Sequence, residues 1–188
     1  MRVDLEKLIA KTPGVASADA RVLGRAYVKQ VDVVMAQWSR GPELMVSTKT
    51  MMSSFRKNLP NRFEEAYGDA ANLRGRYPLA SIGFVFAMRA SVLKEPGALQ
   101  KAMDMLRKLK GADTYDATGL LLLDYSDDPE DLDEVAVLED EVPPSLRAGR
   151  FFDDLVARVL EVAPVEMHVR VRENREHTQL AVEEINGS

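Results

Sequence analysis

The chain has 188 residues, 46% of them hydrophobic, no cysteine and a formal net charge of -5. That length suits one domain with a sizeable core, and the lack of cysteine excludes disulfides, thiol nucleophiles and cysteine-ligated zinc. No segment approaches the ~20 apolar residues that a membrane-spanning helix needs.

The charge is unevenly spread. Residues 1–110 carry 19 Lys/Arg against 10 Asp/Glu, a net +9, and residues 111–188 carry 6 against 20, a net -14. A basic first half suits a polyanionic partner, and an acidic second half argues against nucleic acid covering the whole surface. Solvated faces alone would also account for both halves. The opening MRVDLEKLIAKTPG lacks the apolar core of a signal peptide. With the absence of cysteine, this fits a reducing, cytoplasmic setting.

In chain order, residues 3–11 read as a short helix with Leu5, Leu8 and Ile9 on one face, followed by a loop over 12–18. Arg21 to Trp38 reads as extended, with a turn or bulge at Gly24 and a longer strand through Val31, Val33 and Val34. Ser39-Arg40-Gly41-Pro42 is a turn, with Trp38 partly buried beside it, and Glu43 to Thr50 is the return strand. Residues 51–58 read as polar and irregular, or as an early helical turn. Pro60 suits the first turn of a helix. Leu59, Phe63, Ala66, Tyr67, Ala70 and Leu73 recur at three- and four-residue steps, so an amphipathic helix is expected over 60–74 with Tyr67 in the core. Arg74 and Arg76, at its far end, read as surface charges.

Next come a buried strand over 79–89, a helix over 96–110 and a second buried strand from Thr118 to Tyr125. An acidic loop (126–134), a short strand (135–138), a helix (149–162), an alternating strand (165–172) and a frayed tail (176–188) complete the reading. This order predicts a single α/β domain, a central mixed β-sheet flanked by helices. The hairpin supplies antiparallel pairing and the helical crossovers supply parallel pairing. The core covers about residues 1–125, and 126–175 form an acidic helix-and-strand extension.

Two charged residues interrupt the apolar strands, Asp32 in the first and Lys49 in the return strand. Charge in such a setting is costly unless paired or bound to metal. Alternation puts Glu43, Met45, Ser47 and Lys49 on one face and Thr48 on the other. The hairpin is then able to bring Asp32 beside Ser47 and Lys49. An acid and a lysine so placed suit phosphodiester hydrolysis. The carboxylate holds Mg²⁺, and the lysine orients water or stabilises the transition state. A single carboxylate holds Mg²⁺ poorly, so a second acid is expected. The plainer alternative is a structural ion pair near a strand edge.

The pattern VDVV, a turn, then ELMVSTK resembles the PD-(D/E)xK nuclease superfamily, the restriction-endonuclease-like fold, over roughly residues 1–125. The resemblance implies a Mg²⁺- (or Mn²⁺-) dependent DNA endonuclease of restriction or another prokaryotic defence role. Asp32 is then the metal-binding acid, the Thr48 carbonyl a further ligand and Lys49 the catalytic lysine. The family's second acid falls at Ser47 here. Some restriction endonucleases of this fold carry a serine there and place the acid on the following helix. Glu64 and Glu65 are the candidates, with Glu64 preferred and Asp69 an outside candidate.

Arg56, Lys57 and Arg62 are placed to contact DNA phosphates, or to be only a solvated loop. Gln30 and Ser47 are candidates to line the site, Ser53, Ser54 and Asn58 to touch groove or phosphate. A homodimer is implied by resemblance only. A catalytically inactive nucleic-acid-binding or assembly module of the same fold is the alternative, and the serine at 47 favours it. There is no phosphate-binding loop ending in Lys-Ser/Thr. The only histidines, His168 and His177, make no zinc or nucleophile pattern.

Overall fold

The computed structural model describes residues 20–111, 113–126 and 135–163. The expected helix over 3–11, the acidic loop, the strand over 165–172, the tail and both histidines lie outside the described residues.

The organising element is a mixed five-stranded sheet whose spatial order follows the chain, β3-β4-β5-β6-β7. Its strands are β3 (Val33–Gln37), β4 (Gly41–Met51), β5 (Ser81–Arg89), β6 (Ala117–Asp124) and β7 (Ala136–Val137). β3 and β4 form the antiparallel hairpin, β4–β5 and β5–β6 are parallel, and β7 returns antiparallel to β6. The expected division between hairpin and crossover pairing therefore holds. A helix bridges each parallel pair: α1 (Phe55–Arg74) joins β4 to β5, and α2 (Ala98–Leu109) joins β5 to β6. The third helix, α3 (Ala148–Val162), follows β7.

Alternation along β5 divides the core. Ile82, Phe84, Phe86 and Met88 join Leu59, Phe63 and Ala70 of α1 and Ala102 and Leu106 of α2 in one cluster. On the opposite face Val46 and Ala117 pack with Phe151 and Leu155 of α3. Gly83 makes that second contact possible: a Cβ there would lie 2.8 Å from Phe151 Cζ and 2.9 Å from Leu155 Cδ2.

The stretch before β3 is a separate two-stranded hairpin, β1 (Ala20–Leu23) with β2 (Val28–Val31). Val22 and Val31 bury their side chains in the main core. Asp32 is thus the single residue between β2 and β3, where the reading from sequence ran one strand through it.

Helix α1 starts at Phe55, five residues before Pro60. Phe55, Leu59 and Phe63 are all buried at four-residue steps, and that apolar row extends the helix backwards through the proline. Three side-chain expectations are corrected. Trp38 is fully exposed at the hairpin turn, and Tyr67 is 58% exposed. Arg74 is nine-tenths buried, and its guanidinium donates to the carbonyls of Ala80 and Thr114 and to the Asp116 carboxylate.

A candidate site at the β3–β4 edge

The β3–β4 ladder ends at Val33 opposite Val46. One residue earlier the side chain of Asp32 takes over from the backbone, its Oδ2 accepting the Thr48 N–H at 2.6 Å. In a strand the N–H and C=O of one residue point to the same edge. The Thr48 carbonyl therefore opens toward the edge where Asp32 sits. Asp32 and Thr48 are both exposed.

The neighbours on β4 point the other way. Ser47 and Lys49 share a face with Met45 and Met51, level with Phe84 and Phe86 of β5. Ser47 is 3% exposed, and its Oγ has no hydrogen-bond partner among the described residues. A buried hydroxyl without a partner costs on the order of 1–3 kcal/mol. Lys49 is half-buried and makes no ion pair or hydrogen bond with any described residue. The hydrogen bond thus joins Asp32 to the backbone of Thr48, whose chain neighbours Ser47 and Lys49 direct their side chains to the opposite face of β4. Gln30, exposed on β2, lies two residues before Asp32.

The acids of α1 are placed differently. Glu64 lines a groove of about 530 Å³ between α1 and α2, with Phe63, Tyr67, Met105 and Lys108. Glu64 and Asp69 are about 140° apart around the helix, and it is Asp69 that faces the β1–β2 hairpin. Glu65 pairs with Arg62 at 2.9 Å on the helix surface. Asp69 is buried: Lys29 of β2 forms an ion pair with it, and the Tyr27 hydroxyl donates to it at 2.9 Å. Each helix acid is thus engaged elsewhere or turned toward α2. Among the described residues there is no group of three or more His, Asp or Glu side chains able to hold a metal. Asp32 and the Thr48 carbonyl offer two hard oxygen donors of the kind Mg²⁺ takes, but the second carboxylate expected from the sequence, Glu64 or Glu65, does not join them: Glu64 lines the α1–α2 groove and Glu65 pairs with Arg62.

Of the basic residues, Arg56 donates to the Pro96 carbonyl, Arg62 pairs with Glu65, and Lys57 is exposed. Ser53, Ser54 and Asn58 are exposed where β4 passes into α1, Ser54 in the left-handed region at φ 55°.

The sequence reading passed over the polar clip beside this site. Asn72 Oδ1 accepts the N–H groups of Ala26 and Tyr27 at 2.8 and 3.2 Å, and its Nδ2 donates to the Tyr27 carbonyl at 3.0 Å. With the Lys29–Asp69 pair, these bonds fasten the hairpin that leads into Asp32 onto α1. Partial burial, the hydrogen bond to Asp69 and that carboxylate's charge push the Tyr27 phenol above its ordinary range. Tyr115, fully buried, is pushed up further, by burial first and then by the charges of Asp69 and Tyr27. Its hydroxyl donates to the Ala66 carbonyl at 2.9 Å. The available signal was a pair of polar residues, Asp69 and Asn72, on the edge of the apolar stripe.

The fold and this edge define an α/β domain with an acid, a lysine and a buried serine at one hairpin. No family model, curated protein or solved structure matches the chain. None of the described helices is long and apolar enough to cross a membrane.

Proposed function

We propose that the protein is a Mg²⁺-dependent (or Mn²⁺-dependent) nuclease acting on DNA phosphodiester bonds, in the manner of the PD-(D/E)xK superfamily and in a restriction or defence role. The observation that carries the reading is the hydrogen bond from the Thr48 N–H to Asp32, one residue before a lysine with no partner among the described residues. Asp32 and the Thr48 carbonyl would hold the cation, which when bound would neutralise phosphate charge and lower the pKa of a water. Lys49 would supply a compact positive charge toward the attacked phosphate. The element order supports the reading, an antiparallel hairpin followed by a helix and a strand parallel to the hairpin's second arm.

The test is plasmid cleavage with Mg²⁺. Asp32→Ala and Lys49→Ala should each lower the rate by about 10²–10³, the range seen when one group that stabilises a transition state is removed. Wild-type rates in both variants would overturn the assignment. A second reading, a non-catalytic nucleic-acid-binding module, is favoured by the engagement of Asp69 with Lys29 and Tyr27 and of Glu65 with Arg62. Salt-sensitive DNA binding without cleavage of any substrate would select it.

A further inference from the structure

We propose that the end of the domain where β4 and β5 finish is a docking surface for a nucleic-acid phosphate backbone, with Lys94 and Lys101 as contacts outside the Asp32–Lys49 edge. The inference rests on reading that edge as a phosphodiester site. β4 and β5 run parallel and level, Lys49 beside Phe86 and Met51 beside Met88. Past these ends the chain passes from β4 into α1 and, through a short 3-10 turn (Ala90–Lys94), from β5 into α2, which packs on the same face of the sheet. The hydrogen bond from Arg56 to the Pro96 carbonyl ties the first turn of α1 to the link before α2. Arg56, Lys57, Lys94 and Lys101 are thereby gathered at one end, against one acid in that link, Glu95.

The pairing of these cations sets them apart from others on the same helices. Lys108 is bound to Asp104 at 2.7 Å and Arg62 to Glu65 at 2.9 Å, and Lys110, just after α2, pairs with Asp154. Lys57, Lys94 and Lys101 are exposed, with no acidic partner among the described residues. The first turns of α1 and α2 hold no acid, so the positive helix ends add to the lysines instead of being neutralised. Clustered like charges at positive helix ends cost stability in the free protein, and a polyanion laid across them removes that cost. Nucleic acid is favoured over an anionic lipid surface because the patch continues from the end of β4, where Lys49 lies two residues before Met51.

The test is binding of a short labelled DNA duplex in Ca²⁺, over a series of salt concentrations. Lys94→Gln and Lys101→Gln should each flatten the slope of log K against log[salt] by about 0.9 and weaken binding about tenfold at 0.1 M salt. Lys108→Gln, whose lysine is already paired, should leave both unchanged. Neither Lys94→Gln nor Lys101→Gln should lower the thermal midpoint, since each side chain is exposed and its replacement relieves like-charge repulsion. A double variant with wild-type slope and affinity overturns the docking surface, even where cleavage still depends on Asp32 and Lys49. So does loss of phosphatidylserine-vesicle binding in that variant with an unchanged DNA slope. If the slopes shift as expected while Asp32→Ala and Lys49→Ala cleave normally, the docking surface stands and the catalytic reading falls.

Discussion

Gly24 and Asn72 should be energetically inseparable. Asn72, 5% exposed, makes three hydrogen bonds to the backbone of Ala26 and Tyr27. Asn72→Ala removes all three, leaving the N–H groups of Ala26 and Tyr27 without this acceptor and the Tyr27 carbonyl with only the Gly24 N–H. At ~1 kcal/mol for each net bond, the expected loss is about 3 kcal/mol. Gly24 lies against the same amide, and a methyl group built there falls inside the van der Waals envelope of the Asn72 side chain. The backbone at Gly24 is not in the left-handed region that would itself forbid alanine. Gly24→Ala therefore acts by pushing the amide away and losing the same three bonds, again about 3 kcal/mol. In the double variant the methyl enters the space vacated by the amide. Its total should be about 3–4 kcal/mol, a coupling of about 2–3 kcal/mol between the two sites. Urea unfolding followed by circular dichroism reads all four corners of the cycle. Costs that sum to within about 0.5 kcal/mol, as independent sites do, would refute the reasoning.

Two further outcomes follow from the same corner of the molecule. Removing one partner of the Lys29–Asp69 pair, as in Lys29→Met or Asp69→Leu, should cost about 2–4 kcal/mol because a charge is left stranded. The double replacement should recover much of it, as urea midpoints would show. The raised phenols of Tyr27 and Tyr115 stabilise the fold fully below pH about 10, the value for a free tyrosine. Their contribution is lost as pH climbs from there through the higher folded values. Tyr115→Phe should accordingly flatten the decline of stability above pH 10, measured by urea unfolding across alkaline buffers.

How far the sequence disclosed this structure depended on which force decided each element. β5 and β6 are continuous apolar runs, and α2 and α3 have plain apolar stripes, so burial alone placed them within two residues. The start of α1 stayed open between an irregular stretch and an early helical turn because Pro60 is a strong local signal, whereas the row Phe55–Leu59–Phe63 that decides it matters only once a sheet lies beneath. Arg74 looked like a surface cation because nothing in its neighbourhood in sequence announces Thr114 and Asp116, forty or more residues away. Trp38 and Tyr67 erred the other way: aromatic character suggests burial, but a hairpin tip and a helix flank offered nothing to cover them. At the candidate site, strand alternation was enough to set Ser47 and Lys49 on one face. It was not enough to orient the helix acids, since Glu64 and Glu65 flank the stripe symmetrically and only the packing of α2 and the hairpin separates them.

The spatial order of the five strands is also their order of appearance along the chain. Each new strand finds the exposed margin of the one that left the ribosome just before it, and none waits for a later segment to be inserted beside it. The sheet can therefore grow outward from the β3–β4 hairpin during synthesis, paying loop closure over only one intervening helix at each parallel step. The acid–lysine edge would be complete before the second half of the polypeptide had been made.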